Sequence, residues 1–496
     1  MTHWTLILAQ VVHVASALGL AIIGFNALVL SGIYLLRRRF PAPQKPTQPH
    51  AWPSVTVQLP LYNERYVVER LIEAVAQLDY PREALHIQIL DDSTDQTSVI
   101  VNRLVEHYQD QGLNISHVQR EIRTGYKAGA LRAGLALIDS AFIAVFDADF
   151  VPPADFLKAT IPHFADPRIG MVQARWAHLN ALSSWFTRAQ SLALDAHFVV
   201  EQTARNRSGL LMNFSGAAGV WRRTCIEDSG GWQADTLSED IDLSYRAQLR
   251  DWACLYLPEV SAPAELPPTA MAFKTQQARW ATGTIQCLRK LGPDILRADL
   301  RLWQKVQAFL HLSGYLVHPL LILLLLTTLP LMLSDTLTGL PLAGLSLATL
   351  GPLLQVVIGQ MTLYEDRGER LLVLPAYMMM GLGIALSNTL AVLRGFSNQQ
   401  FAFERTPKFR SDDQQDGLSS THYRQSLNAV SLLEAILFAY AAISAWVAWT
   451  SVPAALPFML LYAAGFGTIS ALSLWQSLKV AHYRGKQLPF APASKN

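Results

Sequence analysis

The chain has 496 residues, of which 51% are hydrophobic, and its mean hydropathy is positive. This composition is too apolar for an ordinary soluble enzyme, so we expect a membrane portion. The formal net charge is only +2, which lacks the basic field that nucleic-acid binding requires. We therefore expect no nucleic-acid partner.

Six apolar runs are long enough to cross a bilayer, which takes about 20 residues. The first has no Lys or Arg ahead of it and exceeds a signal-peptide core, so we expect it to remain as an anchor. The runs lie near residues 7–36, 308–333, 341–363, 371–394, 427–449 and 454–477.

The stretch 40–300 contains no such run, and its β-rich segments alternate with helical patterns, which predicts an α/β domain. It follows an N-terminal transmembrane helix within 1–39. We assign 301–480 to transmembrane and interfacial helices with a cytosolic loop near 396–425, and 481–496 to a cytosolic tail.

Basic residues at the ends of the apolar runs predict the orientation, because positively charged flanks stay cytoplasmic. Arg37, Arg38 and Arg39 place the α/β domain in the cytosol. We therefore expect the three cysteines of this domain to be reduced thiols. They show no Cys-x-x-Cys spacing that would indicate a zinc site. They are Cys225, Cys254 and Cys287.

The other loops conflict with six simple spans. Segments 334–340 and 450–456 lack Lys and Arg, whereas 364–370, 402–424 and 478–486 carry several each. Since the loops on both sides of 371–394 are then cytoplasmic, we predict that this run lies in the interface or re-enters, which leaves five spans. Hydropathy alone counts it as a sixth.

Polar residues follow the first two predicted strands. The strand Val55–Tyr62 leads into a helix expected from Asn63, and a strand that ends at a helix start makes a nucleotide pocket. The strand Ile87–Leu90 ends in Asp91 and Asp92, at the sheet edge where open α/β folds bind ligands. Taken alone, these two carboxylates also fit a helix cap.

A glycine-containing entry into a helix spans Arg123–Leu131, with Lys127 in the first helical turn. Lys127 can neutralise a phosphate, helped by the helix N-terminal amides. The glycine spacing differs from that of a Walker sequence, and a solvated surface lysine is the alternative.

The apolar strand Phe142–Phe146 runs directly into Asp147 and Asp149. Two carboxylates one residue apart at a buried strand end repel each other, so a divalent cation is their natural partner. Hard oxygen ligands together with a diphosphate favour Mg²⁺ or Mn²⁺, although Asp-x-Asp also occurs by chance in loops.

Two further motifs lie downstream. Glu239 and Asp240 begin an amphipathic helix, where a carboxylate could act as general base towards a sugar hydroxyl; ordinary acidic enrichment at a helix N-terminus is the alternative. Gln276, Arg279 and Trp280 fall within a turn and a half of helix. Arg grips pyrophosphate bidentately, and Trp offers a face on which a sugar ring can stack.

Taken in order from Tyr62 to Trp280, these motifs resemble the family 2 glycosyltransferases of the cellulose synthase superfamily. The stretches Gly125–Leu131, His197–Gln202 and Gln276–Trp280 look like those of the cellulose-synthase-like mannan and glucan synthases. The resemblance covers roughly residues 52–290 closely, and the membrane part only in arrangement.

The resemblance implies a GT-A fold, which is a Rossmann-like α/β domain that binds a nucleotide-sugar, joined to an α-helical transmembrane part. The resemblance also implies roles for the site residues. Tyr62 with Asp91 or Asp92 would hold the nucleobase and ribose, Lys127 would contact the diphosphate, and Asp147 and Asp149 would hold the nucleotide and its Mg²⁺ or Mn²⁺. Asp240, with Glu239 beside it, would be the catalytic base, and Gln276, Arg279 and Trp280 would line the acceptor and phosphate site.

The implied activity is inverting, metal-dependent transfer of a hexose from UDP-glucose or GDP-mannose to a β-linked polysaccharide, β-1,4 by expectation. The product would leave through the helices of a cell inner-membrane protein. The alternative is a glucosyltransferase with a lipid acceptor such as ceramide or diacylglycerol. A transporter or scaffold has little support, because every expected carboxylate is present and few membrane residues are charged.

Two more stretches are similar to elements of this family. The loop Phe401–Lys408 resembles the gating loop of cellulose synthases, but it departs from their usual Val-Thr-x-Lys pattern; a basic loop touching anionic lipid is the alternative. Ser215–Arg223 corresponds to the acceptor-side loop, where small residues let the backbone approach a sugar. The gating candidates are Phe403, Arg405, Thr406 and Lys408.

Overall fold

The computed structural model describes residues 3–38, 47–338, 340, 345, 347–397 and 429–486, with side chains up to residue 476. A first helix, α1 (His3–Arg37), precedes an α/β domain, and further apolar helices follow it. The expected combination of an α/β domain with apolar helices is confirmed.

The α/β domain is built on one mixed sheet of seven strands in the order β3-β2-β1-β4-β6-β5-β7. The strands β1, β2, β3 and β4 are parallel, and β6 runs antiparallel to its neighbours β4 and β5. The strands are β1 (Val55–Leu61), β2 (Leu85–Asp91), β3 (Ile115–Gln119), β4 (Phe142–Val145), β5 (Ile169–His178), β6 (Gly219–Arg222) and β7 (Ala253–Ala264).

Helices cover both faces of this sheet, and one of them widens into a π-helical turn (Ala196–Gln202) between α6 and α7. The helices of the domain are α2 (Val68–Ala76), α3 (Thr97–Asp110), α4 (Tyr126–Leu135), α5 (Phe156–Thr160), α6 (Trp185–Asp195), α7 (Thr203–Arg207), α8 (Arg223–Asp228), α9 (Glu239–Gln248) and α10 (Ala270–Arg297).

The central strands are apolar because both of their faces are covered. Val55, Val57 and Leu59 in β1 are fully buried, as the near-continuous apolar runs of parallel strands require. Two hydrophobic clusters lie on opposite sides of the sheet. Each fully buried Val, Leu or Ile stabilises the fold by about 1.5–3 kcal/mol, so the sheet is a rigid base for the loops at its edge.

One edge of the sheet collects the polar loops. The parallel strands β1, β2 and β4 end there, and the antiparallel β6 begins there, since Val145 pairs with Gly219. The strand order also reverses direction between β1 and β4, and such a switch point opens a crevice for ligands. The topology therefore brings the residues after β1, β2 and β4 together with the loop before β6.

The helix expected from Asn63 begins five residues later, at Val68. Asn63 adopts a left-handed conformation with φ 57°, which Asn tolerates better than most residues. The backbone amide of Asn63 donates to Ser93 Oγ at 2.8 Å, and its side-chain Oδ1 accepts from the backbone amide of Thr94 at 2.8 Å. Asn63 thus links the loops after β1 and β2.

Among the described residues, four helices are long and apolar enough to cross a membrane: His3–Arg37, Gly314–Leu333, Ala429–Ser451 and Pro453–Gln476. The helices after the α/β domain are α11 (Leu302–Leu312), α12 (Val317–Leu333), α13 (Leu350–Leu363), α14 (Arg367–Leu371), α15 (Leu374–Gly383), α16 (Ala385–Phe396), α17 (Ala429–Ser451) and α18 (Leu456–Lys486).

The run 371–394 is not one straight helix. Arg367–Gly383 and Ala385–Phe396 meet at a bend of 44°, the geometry of a broken span or a re-entrant segment, and the number of spans rises to five if the pair counts as one. Its placement in the interface stays a prediction.

The run at 341–363 is described only in part, and its crossing of the membrane stays a prediction. The helix Leu347–Leu363 is shorter than the about 20 residues that cross a bilayer. It packs against α1 at two places. Near its start, a Cβ on Gly351 would lie 2.0 Å from the backbone oxygen of Gly24 in α1. Near its end, Thr362 Oγ1 lies 3.3 Å from the hydroxyl of Tyr34 in α1. The helix therefore packs along only the second half of α1.

Candidate active site

A cavity of about 590 Å³ lies at the polar edge of the sheet. This volume is within the range of about 300–1,000 Å³ that small-molecule sites occupy. It is lined by ten of the eleven residues predicted for catalysis, substrate and metal: Tyr62, Asp92, Lys127, Asp147, Asp149, Glu239, Asp240, Gln276, Arg279 and Trp280. The gating candidates Phe403, Arg405, Thr406 and Lys408 lie outside the described residues.

Asp91 is the predicted residue that the structure does not bring to the cavity. Its buried carboxylate accepts hydrogen bonds from the Ser93 amide at 2.9 Å, from Ser98 Oγ at 2.6 Å and from His117 at 3.0 Å. Burial alone would raise the pKa of Asp91, but these hydrogen bonds lower it to about 2. Asp91 holds the loop together, and its neighbour Asp92 faces the ligand space.

Asp91→Asn is therefore expected to lower the free energy of unfolding of the domain by about 2 kcal/mol at neutral pH. Because the folded-state pKa is lowered, this contribution is present above pH about 4 and is lost as the pH falls towards 2. Thermal unfolding in detergent measures the change, with the exposed Asp139→Asn as control. Equal stability of the two variants across this range would contradict the assignment.

The end of the cavity near β1 and β2 combines an aromatic face with charged groups. The Arg123 guanidinium lies 3.4 Å from the centroid of the Tyr62 ring, a cation–π contact. Asp92 accepts from Arg120 through both oxygens. Aromatic, guanidinium and carboxylate groups together suit a nucleobase and a ribose. Arg123 has no role predicted from the sequence alone.

Lys127 lies among the carboxylates of the cavity. Its ammonium is 2.7 Å from Asp147 Oδ1 and 3.7 Å from Glu239 Oε1, and it donates to Gly216 O at 3.0 Å. Burial alone would lower the pKa of Lys127, but Asp147 and Glu239 raise it. The lysine stays charged and available to a diphosphate. Gly125, at φ 74°, turns the chain into the helix that carries it.

Asp240 begins helix α9 and has the environment of a general base. Its Oδ1 accepts from the Ile241 amide at 2.9 Å. Burial and the like charge of Glu239 raise the pKa of Asp240 to about 7, against the opposing effect of Lys127. A carboxyl with a pKa near the working pH exchanges protons most effectively.

The acceptor-side loop comes close to Asp240 at Gly216. Gly216 has φ +84°, and a Cβ there would lie 3.0 Å from Asp240 Oδ2 and 3.5 Å from Lys127 Nζ. Glycine is therefore required both by the backbone conformation and by the space. The amide of Ser215 donates to Gln173 Oε1 at 2.8 Å, which ties the loop to β5.

Helix α10 carries Gln276, Arg279 and Trp280 along one side of the cavity. The Thr269 hydroxyl caps it by accepting from the Ala272 backbone amide at 3.2 Å. Further along, Thr282 Oγ1 donates to Ala391 O at 3.0 Å in α16. The helix with the tryptophan therefore lies between the catalytic domain and the apolar helices.

Asp147 and Asp149 can hold a divalent cation only if a bound ligand supplies further coordinating oxygens. Within the part of the chain that the structure describes, no three His, Cys, Asp or Glu side chains converge on a metal site. The cavity nevertheless contains the carboxylates of Asp147, Asp149, Glu239 and Asp240. This excess of acidic oxygens suits a divalent cation that a bound diphosphate helps to coordinate.

The cavity continues beyond the predicted residues to polar side chains that have no role predicted from the sequence. Those on the apolar helices are isolated polar residues that no spacing marks, and those of the α/β domain show only the i,i+4 spacing common in helices. Asn26 comes from α1, His311, Tyr315 and His318 come from the segment 311–318, and Gln355 comes from α13; His197, Glu201 and Arg205 come from the π-helical turn and α7.

The family model described as Glycosyltransferase like family 2 matches residues 53–283. This chain is 40% identical over 299 residues to Glucomannan 4-beta-mannosyltransferase 1 of Oryza sativa subsp. japonica, covering 57% of this chain and 57% of the relative. It is 42% identical over 264 residues to Glucomannan 4-beta-mannosyltransferase 2 of Arabidopsis thaliana, covering 51% and 49%. The chain thus spans about half the length of the curated relatives that it matches.

Among solved structures, a mannosyltransferase from Pyrobaculum calidifontis, in complex with GDP-Man and Mn²⁺, matches with a TM-score of 0.55 at 23% identity, over 77% of this chain and 99% of that chain. This likeness concerns the fold, which is the expected GT-A fold. The family match and the motifs of the cavity lead to one conclusion: over residues 53–283 the chain is similar to the family 2 glycosyltransferases, and its relatives at 40–42% identity are glucomannan 4-beta-mannosyltransferases.

Proposed function

We propose that the protein transfers mannose from GDP-mannose, with inversion, to the end of a β-1,4-linked polysaccharide. The names of its relatives, glucomannan 4-beta-mannosyltransferases, support this sugar and linkage. The Tyr62, Asp92 and Arg123 end of the cavity is suited to the nucleoside. The protein is proposed to lie in the cell inner membrane with the catalytic domain in the cytosol, as Arg37–Arg39 suggest.

The reaction follows from the positions of the charged groups. Asp240 accepts the proton of the acceptor hydroxyl while that oxygen forms a bond to the anomeric carbon. The bond from this carbon to the diphosphate oxygen breaks on the opposite face, so an α-linked donor gives a β-linkage. Lys127 and Arg279 stabilise the charge that the departing nucleoside diphosphate gains.

Asp147 and Asp149 would hold Mg²⁺ or Mn²⁺ beside the diphosphate. When bound, such a cation stabilises negative charge on phosphate oxygens. The oxygen-only donor set supports a hard cation of this kind.

The observation that carries the proposal is that one cavity runs from Asp240 and Trp280 to polar residues of the apolar helices. Asn26, Tyr315 and His318 contribute to its lining. Hydrogen-bonding groups on otherwise apolar helices suit a hydroxyl-rich chain better than an acyl chain. This supports a polysaccharide acceptor, and its export along these helices, over a lipid acceptor.

The test offers the purified full chain GDP-mannose and UDP-glucose, each labelled, with Mn²⁺ or Mg²⁺. We expect label from GDP-mannose in a polymer that an endo-β-1,4-mannanase degrades. Label that partitions into organic solvent as a single-sugar glycolipid would support the lipid-acceptor alternative and contradict the proposal.

The pH dependence of kcat/KM is expected to follow Asp240. Because the base must be deprotonated and the pKa of Asp240 is raised to about 7, the rate should fall as the pH drops below about 7. Glu239→Gln removes a neighbouring like charge and should move this acidic limb to lower pH. A limb at the usual carboxylate pH in the unmodified protein, or no movement in the variant, would contradict this role.

A further inference from the structure

A cluster of charged side chains lies in the cavity where the helix α6–α7 widens into its π-helical turn. Glu201 Oε2 is 3.0 Å from His197 Nδ1, and Arg205 Nε donates to Glu201 Oε1 at 2.9 Å. All three residues line the cavity. A single π-helical turn inside an α-helix is rare and often occurs at functional sites.

The carboxylate fixes the orientation of the imidazole. Arg205 is fully buried, and its charge together with His197 lowers the pKa of Glu201 well below its usual range, although burial alone would raise it. An ionised Glu201 accepts a hydrogen bond from the N–H at His197 Nδ1, so Nε2 is the nitrogen that a ligand can use. Carboxylate–histidine pairs of this kind hold a ring in one tautomer.

The cluster lies on the side of the cavity that faces the apolar helices. Val199 and Val200 in the same turn pack with Leu30 of α1 and Ile358 of α13. Arg205 Nη1 donates to Gln307 O at 3.4 Å, and Gln307 Nε2 donates to Asn26 Oδ1 of α1 at 2.7 Å. The groups proposed to bind the nucleotide lie on other elements: Tyr62 follows the end of β1, Asp147 lies just after β4, and Lys127 lies in α4.

We propose that His197, oriented by Glu201, binds a hydroxyl group of an acceptor sugar in the part of the cavity between Asp240 and the apolar helices. His197 is thus an acceptor-binding residue and Glu201 its positioning residue. The assignment rests on the proposed function, because it takes the acceptor to be a hexose chain.

The experiment measures transfer from GDP-mannose to β-1,4-mannohexaose by the full-length protein carrying His197→Ala, His197→Gln or Glu201→Gln. We expect His197→Ala to raise the KM for the oligosaccharide about tenfold, the effect of one lost hydrogen bond in a polar cavity. Glu201→Gln should do the same to a smaller extent, and His197→Gln should restore part of the affinity. The KM for GDP-mannose and the binding of GDP should stay unchanged.

Matched controls come from outside the cavity. Glu227 pairs with Arg223 at 2.7 Å across one helical turn, as Glu201 pairs with Arg205, so Glu227→Gln tests the loss of a helical ion pair by itself. His163→Ala is the control for loss of a histidine. Neither should change the KM for mannohexaose.

Three outcomes separate this inference from the proposed function. An unchanged acceptor KM in His197→Ala, with normal extension of mannohexaose by the unmodified protein, overturns the inference alone. An equal rise in donor and acceptor KM also overturns it, because the cluster would then support the fold. If the unmodified protein does not extend the oligosaccharide, the proposed function fails and the inference falls with it.

Discussion

Asp240→Asn is expected to lower kcat by about 10³, since a positioned general base contributes 10²–10⁴-fold. The amide keeps the size of the side chain and can still accept from the Ile241 amide, but it cannot take the proton of the acceptor hydroxyl. The donor site stays intact, because Tyr62, Lys127 and Asp147 come from other elements. Calorimetry should therefore give an unchanged Kd for GDP.

Asp242→Asn provides the matched control on the same helix. Asp242 is fully buried and pairs with Arg246 at 2.7 Å and with Lys290 at 2.8 Å, but it does not line the cavity. Its replacement should lower thermal stability and leave kcat per folded molecule unchanged. If Asp240→Asn kept more than a tenth of the activity, another group would have to be the base.

Replacing Asp147 or Asp149 by asparagine is expected to lower kcat/KM for the donor by at least about 100-fold, because charge stabilisation at a leaving group is usually the largest catalytic term. Asp147 has a second role, since its carboxylate pairs with Lys127 at 2.7 Å. Its loss leaves the half-buried Lys127 with less compensation for its charge, so Asp147→Asn should also destabilise the domain.

The measurement is GDP binding by calorimetry with and without Mn²⁺. In the unmodified protein Mn²⁺ should tighten GDP binding, and in both variants this enhancement should disappear. The half-buried Asp166, which lies outside the cavity and pairs with Arg168 at 2.8 Å, supplies the control Asp166→Asn, and its enhancement should persist. GDP binding that is independent of Mn²⁺ in the unmodified protein would contradict the cation assignment.

The sequence was most informative where strands end. The carboxylates after β2 and β4 and the tyrosine after β1 could be placed together, because parallel strands end at one sheet edge. Sequence alone could not separate Asp91 from Asp92, since adjacent carboxylates differ only in direction. That choice depends on Ser98 and His117, which lie on other elements.

Other features depend on contacts between distant segments. The position of Gly216 beside Asp240 follows from the antiparallel pairing of β6 with β4, which periodicity does not reveal. The short helix Leu347–Leu363 has the composition of a span, and only its packing along the second half of α1 shows its place. The His197–Glu201 pair shows no signal beyond the i,i+4 spacing common in helices.

The most direct test of the proposed inverting transfer is the configuration and linkage of the bond that the protein makes. Proton NMR of mannohexaose extended with GDP-mannose reads both. We expect a new β-1,4-linked mannose at the chain end, formed by the unmodified protein and absent with Asp240→Asn. An α-linked product, or the same product from Asp240→Asn, would contradict inverting transfer with Asp240 as base.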